Sequence, residues 1–316
     1  MVKVIKEKVD KSIWQIFAEG LKIYCFNFHK FFLYMAFPVL GQLLGLGLVF
    51  GLTYLYTTNL PNLIVKYDFF DNFATIVLGV ILIVLPGMLI WAKAFWDYII
   101  AYGALNSMTE GVLTTGRVYD FKSHTQVITQ RTAAYIALWL LFAVFTFLAV
   151  IPIFWVLGFI FFIYFILIFQ VFTFEPELSP VGCFKKSLIL IKGKFARTFL
   201  LMFILLMITS VILPQGVSVL FDFFKVTNIL TPAFEGWISS LPLEQFYAIY
   251  EKAGVIVGPK EVAESCVWQT VLFIVLGFTL PLRSICWTLW YKNNLNLFPE
   301  VKKVTARKRV KEKEEE

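Results

Sequence analysis

Charge is what this chain has least of. Only 16% of its 316 residues are Asp, Glu, Lys or Arg, against 59% hydrophobic, and the mean hydropathy is +0.78. A soluble globule needs more polar side chains than this to cover its surface, so that class is excluded. Histidine is scarcer still: His29 and His124 are the only two, and no Cys, His and carboxylate spacing suits zinc. Cys25, Cys183, Cys266 and Cys286 are scattered between two sides and an apolar run, so no bridge within the chain is expected. There is no glycine-rich phosphate loop, dinucleotide fingerprint or nucleophile-elbow spacing. Glu175 and Glu177 bracket Pro176 and could in principle share a proton, but loop carboxylates are ordinarily just solvated. No enzyme, metal centre or cofactor is expected.

What fills the chain is apolar sequence. Charge-free runs cover 31–65, 72–92, 132–174, 198–221 and 265–282, and a transmembrane helix needs about 20 such residues. The third run, as one helix, would be roughly twice the hydrocarbon thickness of about 30 Å. It must fold back, and Pro152, which lacks an amide hydrogen and disfavours helix at Ile151, places the turn near 150–153. The expectation is an all-α polytopic membrane protein with six spans at about 31–56, 73–98, 132–150, 153–174, 198–221 and 267–290. The runs are apolar on every face, which in lipid calls for helices rather than the alternating strands of a barrel.

Basic residues test that count. Lysines and arginines before the first span, between the second and third, between the fourth and fifth, and after the sixth number 22, whereas Lys66, Lys225, Lys252 and Lys260 alone fall on the other side. Since basic flanks stay cytoplasmic, both termini are expected in the cytoplasm of a multi-pass inner-membrane protein. The layout is then an amphipathic N-terminal segment 1–30, a membrane domain 31–292 with an outer segment 224–266, and a disordered tail 293–316. The first apolar region is much longer than the 7–15 residues or so of a cleavable signal, so it is read as an anchor.

The chain also matches itself at an offset of 167: Phe17, Leu21, Phe28, Phe32 and Leu33 recur as Phe184, Leu188, Phe195, Phe199 and Leu200, with Lys30 answered by Arg197. Positions 17, 21, 24 and 28, like 184, 188, 191 and 195, have helical spacing, so each copy is an amphipathic helix running into a span in the same direction. In the second copy Lys185, Lys186, Lys192 and Lys194 lie off the apolar line, as in a helix resting among headgroups.

Three segments carry a likeness: GLKIYCFNFHKFFLYMAFPVL (20–40), SLILIKGKFARTFLLMFILL (187–206) and TLWYKNNL (288–295). They resemble the membrane domain found beside glycerophosphoryl diester phosphodiesterases and in related stand-alone six-span bacterial proteins. The resemblance implies a non-catalytic membrane module. The family usually closes on a tyrosine pair, then an acidic and a basic residue. Here Trp290, Tyr291, Lys292 and Asn293 stand in those places, so a role for that acid does not transfer.

Polar groups inside apolar runs are the remaining candidates. Arg283, two residues after the helix-breaking Pro281, suits a lipid phosphate or other anion, and equally a side chain reaching back to the interface; Lys185, Lys186, Lys192, Lys194 and Arg197 are the candidate headgroup contacts. Lys93 and Asp97, four apart, can pair on one helix face between the interface anchors Trp91 and Trp96. Gly41, Gly45, Gly47 and Gly51 form two small-xxx-small pairs, which serve packing within the chain, a homo-oligomer or a membrane-protein partner equally well. Seven basic residues in 302–313 favour anionic lipid; without aromatics for base stacking they do not suggest nucleic acid. The leading expectation is a lipid-associated or structural module, and the rival is a small transporter hinged at Pro38, Pro86, Pro214 and Pro281 with Arg283 in its pathway.

Overall fold

The structure, a computed structural model, describes residues 10–67, 72–241, 243–252, 254 and 257–295; among them there are helices, turns and no strand. Helix α1 (Ile13–Phe26) starts at Ser12, which exchanges hydrogen bonds with Gln15 in a capping box. After Asn27 come α2 (Phe28–Lys66, 39 residues) and α3 (Phe73–Thr115, 43 residues). These two lie antiparallel, and glycine makes that possible. A methyl group at Gly45 would sit 2.6 Å from Trp91 N, and one at Gly87 would sit 2.8 Å from the carbonyl of Gly45. Helix α3 ends at Gly116, whose φ of 73° is a conformation that other residues avoid.

Helices α4 (Phe121–Thr129) and α5 (Thr132–Val150) follow, with a bend of 72° between them. The chain reverses at Ile151, as Pro152 leads one to expect, through a 3-10 turn at Pro152–Phe154 into α6 (Trp155–Tyr164). Short α7 (Ile168–Phe174) and α8 (Pro180–Ile191, capped by Ser179) lead to α9 (Phe195–Leu206), a π turn (Met207–Ile212) and α10 (Leu213–Phe223). Pro214 has no N–H to continue the ladder, which accounts for the wide turn just before it. Then come α11 (Thr227–Ser239), α12 (Glu244–Lys252), α13 (Pro259–Phe278) and α14 (Leu280–Leu295).

Five stretches are long and apolar enough to cross a membrane: Phe28–Lys66, Phe73–Thr115, Pro152–Phe174, Phe195–Phe223 and Pro259–Phe278; α4 with α5 makes a sixth if the bent pair counts as one. Leu78, Leu82, Leu85 and Leu89 of α3 are all exposed, the mark of a helix whose surroundings are themselves apolar.

Three boundaries need correction. The span expected at 267–290 is two helices. Pro281 has no N–H to continue the ladder, and the helix breaks at Thr279: α13 stops at Phe278 and α14 starts afresh at Leu280. At its other end α13 begins at Pro259, so the last residues of the expected outer segment 224–266 are helical. Helix α14 runs on to Leu295, into the expected tail. The rest of that tail, 296–316, lies outside the described residues, as do Lys3, Lys6 and Lys8.

One end of the bundle is gathered around α14. Helices α1, α3, α7 and α8 enclose it so fully that only Arg283, Lys292 and Leu295 are more than slightly accessible. Trp290 is completely buried, and Gly20 of α1 sits where a methyl group would lie 2.5 Å from Cys286 Sγ. We call this the proximal end. The opposite, distal end carries α11, which packs Trp237 on Phe50 of α2 with ring centroids 4.5 Å apart.

Candidate functional site

Within the proximal core a set of uncharged polar side chains meets where α3, α7 and α14 cross. Asn106 is wholly buried; its Oδ1 accepts from Ser284 Oγ (2.7 Å), Gln170 Nε2 (3.2 Å) and Thr288 Oγ1 (3.3 Å), and its Nδ2 donates to Thr173 Oγ1 (3.3 Å). Five polar residues from three helices thus share one amide. One acceptor, the buried Gln170 Oε1, has no partner among the described residues; the remaining bonds fix the relative rotation of the three helices, because a slip would leave further buried groups unpaired. None of the five stood out in the sequence, although Gln170 is an amide inside the apolar run 132–174.

The end of α14 is a second junction, and each residue of the motif Trp290–Asn294 reaches a different place. Trp290 Nε1 donates to Thr198 Oγ1 of α9 (3.0 Å), and Tyr291 OH to Glu175 Oε1 after α7 (2.8 Å). Lys292 pairs with Glu110 of α3. Asn293 Nδ2 donates to Asp10 Oδ1 (3.0 Å) while its Oδ1 accepts from Lys11 N (2.9 Å), and Asn294 Oδ1 accepts from Lys194 Nζ (3.0 Å). Asp10 also takes a 2.6 Å bond from Arg197 Nη1. These two donors hold the Asp10 carboxyl below its ordinary range, the arginine contributing most.

That junction absorbs part of the expected headgroup-binding set. Arg197 is committed to Asp10, Lys194 to Asn294, and Lys186 to Glu175 at 3.4 Å. Lys185 and Lys192 remain on the surface of the second amphipathic helix without an ion pair among the described residues. Glu175, weighed above as half of an acid/base pair with Glu177, is occupied by Tyr291 and Lys186. Arg131, not singled out in the sequence, ties α5 to the α7–α8 connection by donating to Phe172 O (3.0 Å) and Leu178 O (2.8 Å).

Arg283 opens α14 at the break. Its Nη2 donates back to Leu276 O (2.6 Å), Tyr98 and Tyr102 lie beside it, and its buried Nε has no partner among the described residues. Lys93 and Asp97 do pair, at 2.5 Å, and the lysine is largely exposed. Of the four glycines, Gly41 faces Ala94 and Gly45 faces Trp91, both in close contact, whereas Gly47 and Gly51 have nothing within 4 Å and do not pack a helix.

The internal repeat is visible in space. Adding 167 to Ser12, Ile13 and Phe28 gives Ser179, Pro180 and Phe195, so both caps and both pairs of helix starts coincide. Burial follows the same register: Ile16 and Cys183, Gly20 and Ser187, and Phe31 and Thr198 are buried pairs, while Leu21 and Leu188 are each 41% exposed. No family model, curated protein or solved structure matches this chain. The chemistry therefore has to be argued from the geometry. Each repeat helix has one face docked in the proximal core and one turned outward. The outward stripe of α1 holds Trp14, Leu21 and Cys25, and that of α8 holds Val181, Lys185 and Leu188, with Lys192 as its C-cap.

Proposed function

We propose that this membrane protein is a non-catalytic, lipid-associated module that crosses the bilayer six times with its proximal end in the cytoplasm, and that α1 and α8 lie in the headgroup layer of that leaflet. The observation that carries this reading is the matched pair of outward faces: Trp14 and Leu21 on α1 with Lys22 at their border, and Val181 and Leu188 on α8 interleaved with Lys185 and Lys192. Apolar side chains exposed at helical spacing beside lysines are what an interfacial helix needs: the stripe enters the acyl boundary and the ammonium groups reach the phosphates. The resemblance of 20–40, 187–206 and 288–295 to the phosphodiesterase-associated membrane domain supports the same class.

Anionic lipid is the preferred contact, with each exposed basic residue adding about 1 kcal/mol near a charged leaflet. The full-length protein, purified with an equimolar mixture of phosphatidylglycerol and phosphatidylcholine, is expected to retain the anionic lipid preferentially. Replacing both lysines, Lys185→Gln with Lys192→Gln, should cut that retention roughly thirtyfold. Equal retention by wild type and variant defeats the reading.

One observation favours a transporter instead: the buried, unpartnered Nε of Arg283 at the α13–α14 break. Such a group in a membrane helix marks an anion pathway by default. Uptake of an anion into proteoliposomes that disappears in Arg283→Gln would support that reading, and uptake unchanged by the substitution would remove Arg283 from it.

A further inference from the structure

At the distal end α11 separates two cavities of opposite character. On one side Leu230, Phe234 and Trp237 face Gly47, Phe50 and Gly51 of α2 across an apolar groove of about 580 Å³. Gly47 and Gly51 have only space where a side chain would begin, so their role here is to widen the groove. On the other side lies a cavity of about 540 Å³ bordered by Asp222, Glu235, Lys260, Glu264 and Trp268, and Pro232 borders both cavities. Both volumes fall in the range of small-ligand sites, about 300–1,000 Å³.

The two halves sit at the depths an amphiphile requires. Helix α13 runs antiparallel to α2, with Gly277 against Val39 and Thr270 bordering the groove beside Gly47. Going on toward the start of α13 leads outward, so Lys260 and Glu264 lie nearer the distal surface than the apolar groove does. Trp237 stands at the groove with a buried indole N–H that has no partner among the described residues, a donor suited to an ester carbonyl. The charges select the headgroup. Three carboxylates and one ammonium, none in an ion pair among the described residues, repel a net anion and accept a group that is positive at one end and negative at the other. Trp268 adds an aromatic face for the cationic end.

We propose that this pair of cavities binds one zwitterionic aminophospholipid, with acyl chain along Gly47 and Gly51, ester region at Trp237, ammonium among Asp222, Glu235 and Glu264, and phosphate toward Lys260. The proposal rests on the membrane reading but not on lipid contacts at the proximal end.

The test is native mass spectrometry of the full-length protein released from detergent with equimolar phosphatidylethanolamine and phosphatidylglycerol. Gly51→Trp, which fills open space, should lower the phosphatidylethanolamine adduct at least about tenfold, with the melting temperature unchanged. Glu235→Gln with Glu264→Gln, surface changes that leave the groove intact, should keep an adduct but bring the two lipids to parity. Lys185→Gln with Lys192→Gln should leave the phosphatidylethanolamine adduct as it was, which separates this site from the proximal one. A phosphatidylethanolamine adduct that survives Gly51→Trp, an unchanged lipid ratio in the double glutamine variant, or a groove-dependent adduct of phosphatidylglycerol or detergent instead would each overturn the proposal.

Discussion

Gly45 and Gly47 are two positions apart on α2 and do unlike things. At Gly45 the α3 backbone comes so near that a methyl group would stand 2.6 Å from Trp91 N and 2.8 Å from Gly87 O, neither of which can swing away. Gly45→Ala is therefore expected to destabilise the protein by about 1–3 kcal/mol, the usual range for overpacking. Gly47→Ala should be neutral or raise stability by up to about 1 kcal/mol, since alanine is the better helix former. Thermal unfolding in detergent compares the two, and equal melting temperatures would contradict the packing described. Asn106 poses a sharper question. Asn106→Leu removes the acceptor shared by Ser284, Thr288 and Gln170 and leaves their buried donors unsatisfied, so a loss of about 2–3 kcal/mol is expected. Ser284→Ala in the same background should then cost less than it does in the wild type, because its partner has already gone. The glycine spacing was legible in the sequence. Which glycines touch α3 was not, because that depends on where the two helices cross. Asn106 was hidden for a related reason: one amide at the end of a long apolar helix has no local pattern, and its partners are 64 to 182 positions away.

Among the elements, those set by local chemistry were the readable ones. Pro152 located the α5–α6 reversal because proline acts on its own neighbours, and the repeat at 167 marked two helices that start alike, but the expected apolar line is divided, with Phe184 and Ile191 buried and Leu188 exposed. The division of the last span followed from Pro281 by the same rule, but the uninterrupted apolar run across Thr279 concealed it. Nothing local showed that α14 is enclosed on all sides, since enclosure depends on α1, α3, α7 and α8 together. The latch that closes this enclosure contains a carboxylate, Asp10, and is expected to loosen in acid. Arg197 and Asn293 hold the Asp10 carboxyl below its unfolded range. A depressed carboxyl stabilises fully above the ordinary value of about 3.9, and the contribution is lost as pH falls through the lower folded value. Opening at the start of α1, read as hydrogen-exchange protection corrected for the intrinsic rate at each pH, should thus be steady from pH 7 to about 5 and accelerate on further acidification, with Asp10→Asn showing a flatter acid limb. An acceleration already present near neutrality, or one unchanged in Asp10→Asn, would assign the latch to other groups.

For the whole molecule, the charge bias sets an expectation of orientation that labelling can test. Of the 22 lysines and arginines expected on one side, twelve are among the described residues. In space the same end collects α1, α4, α7, α8 and the last turn of α14, while Lys225, Lys252 and Lys260 belong to the end with α11 and α12. The chain's own cysteines can test this. Cys183 and Cys286 are buried, burial pushes the Cys183 thiol up to about 11, and neither should react with a polar maleimide. Cys25 is exposed in the last turn of α1, which the proposed reading sets at headgroup depth within reach of a polar maleimide, and Cys266 is partly accessible in the first half of α13. In sealed inverted vesicles Cys25 should be modified and Cys266 protected, and in right-side-out vesicles the reverse, with Cys25→Ser and Cys266→Ser identifying each adduct. Six passes put an odd number of crossings between these two positions, so they must lie on opposite faces. Four passes, with α5 and α6 as a hairpin that enters and leaves by one face, would keep Cys25 and Cys266 opposed, because such a hairpin adds no net crossing. Distinguishing the two therefore takes a third cysteine at the α5–α6 reversal. Ile153→Cys, in an exposed side-chain position, is expected to react from the Cys266 side. Reaction from the Cys25 side would make α5 and α6 re-entrant and remove two spans while leaving the proximal core as it stands.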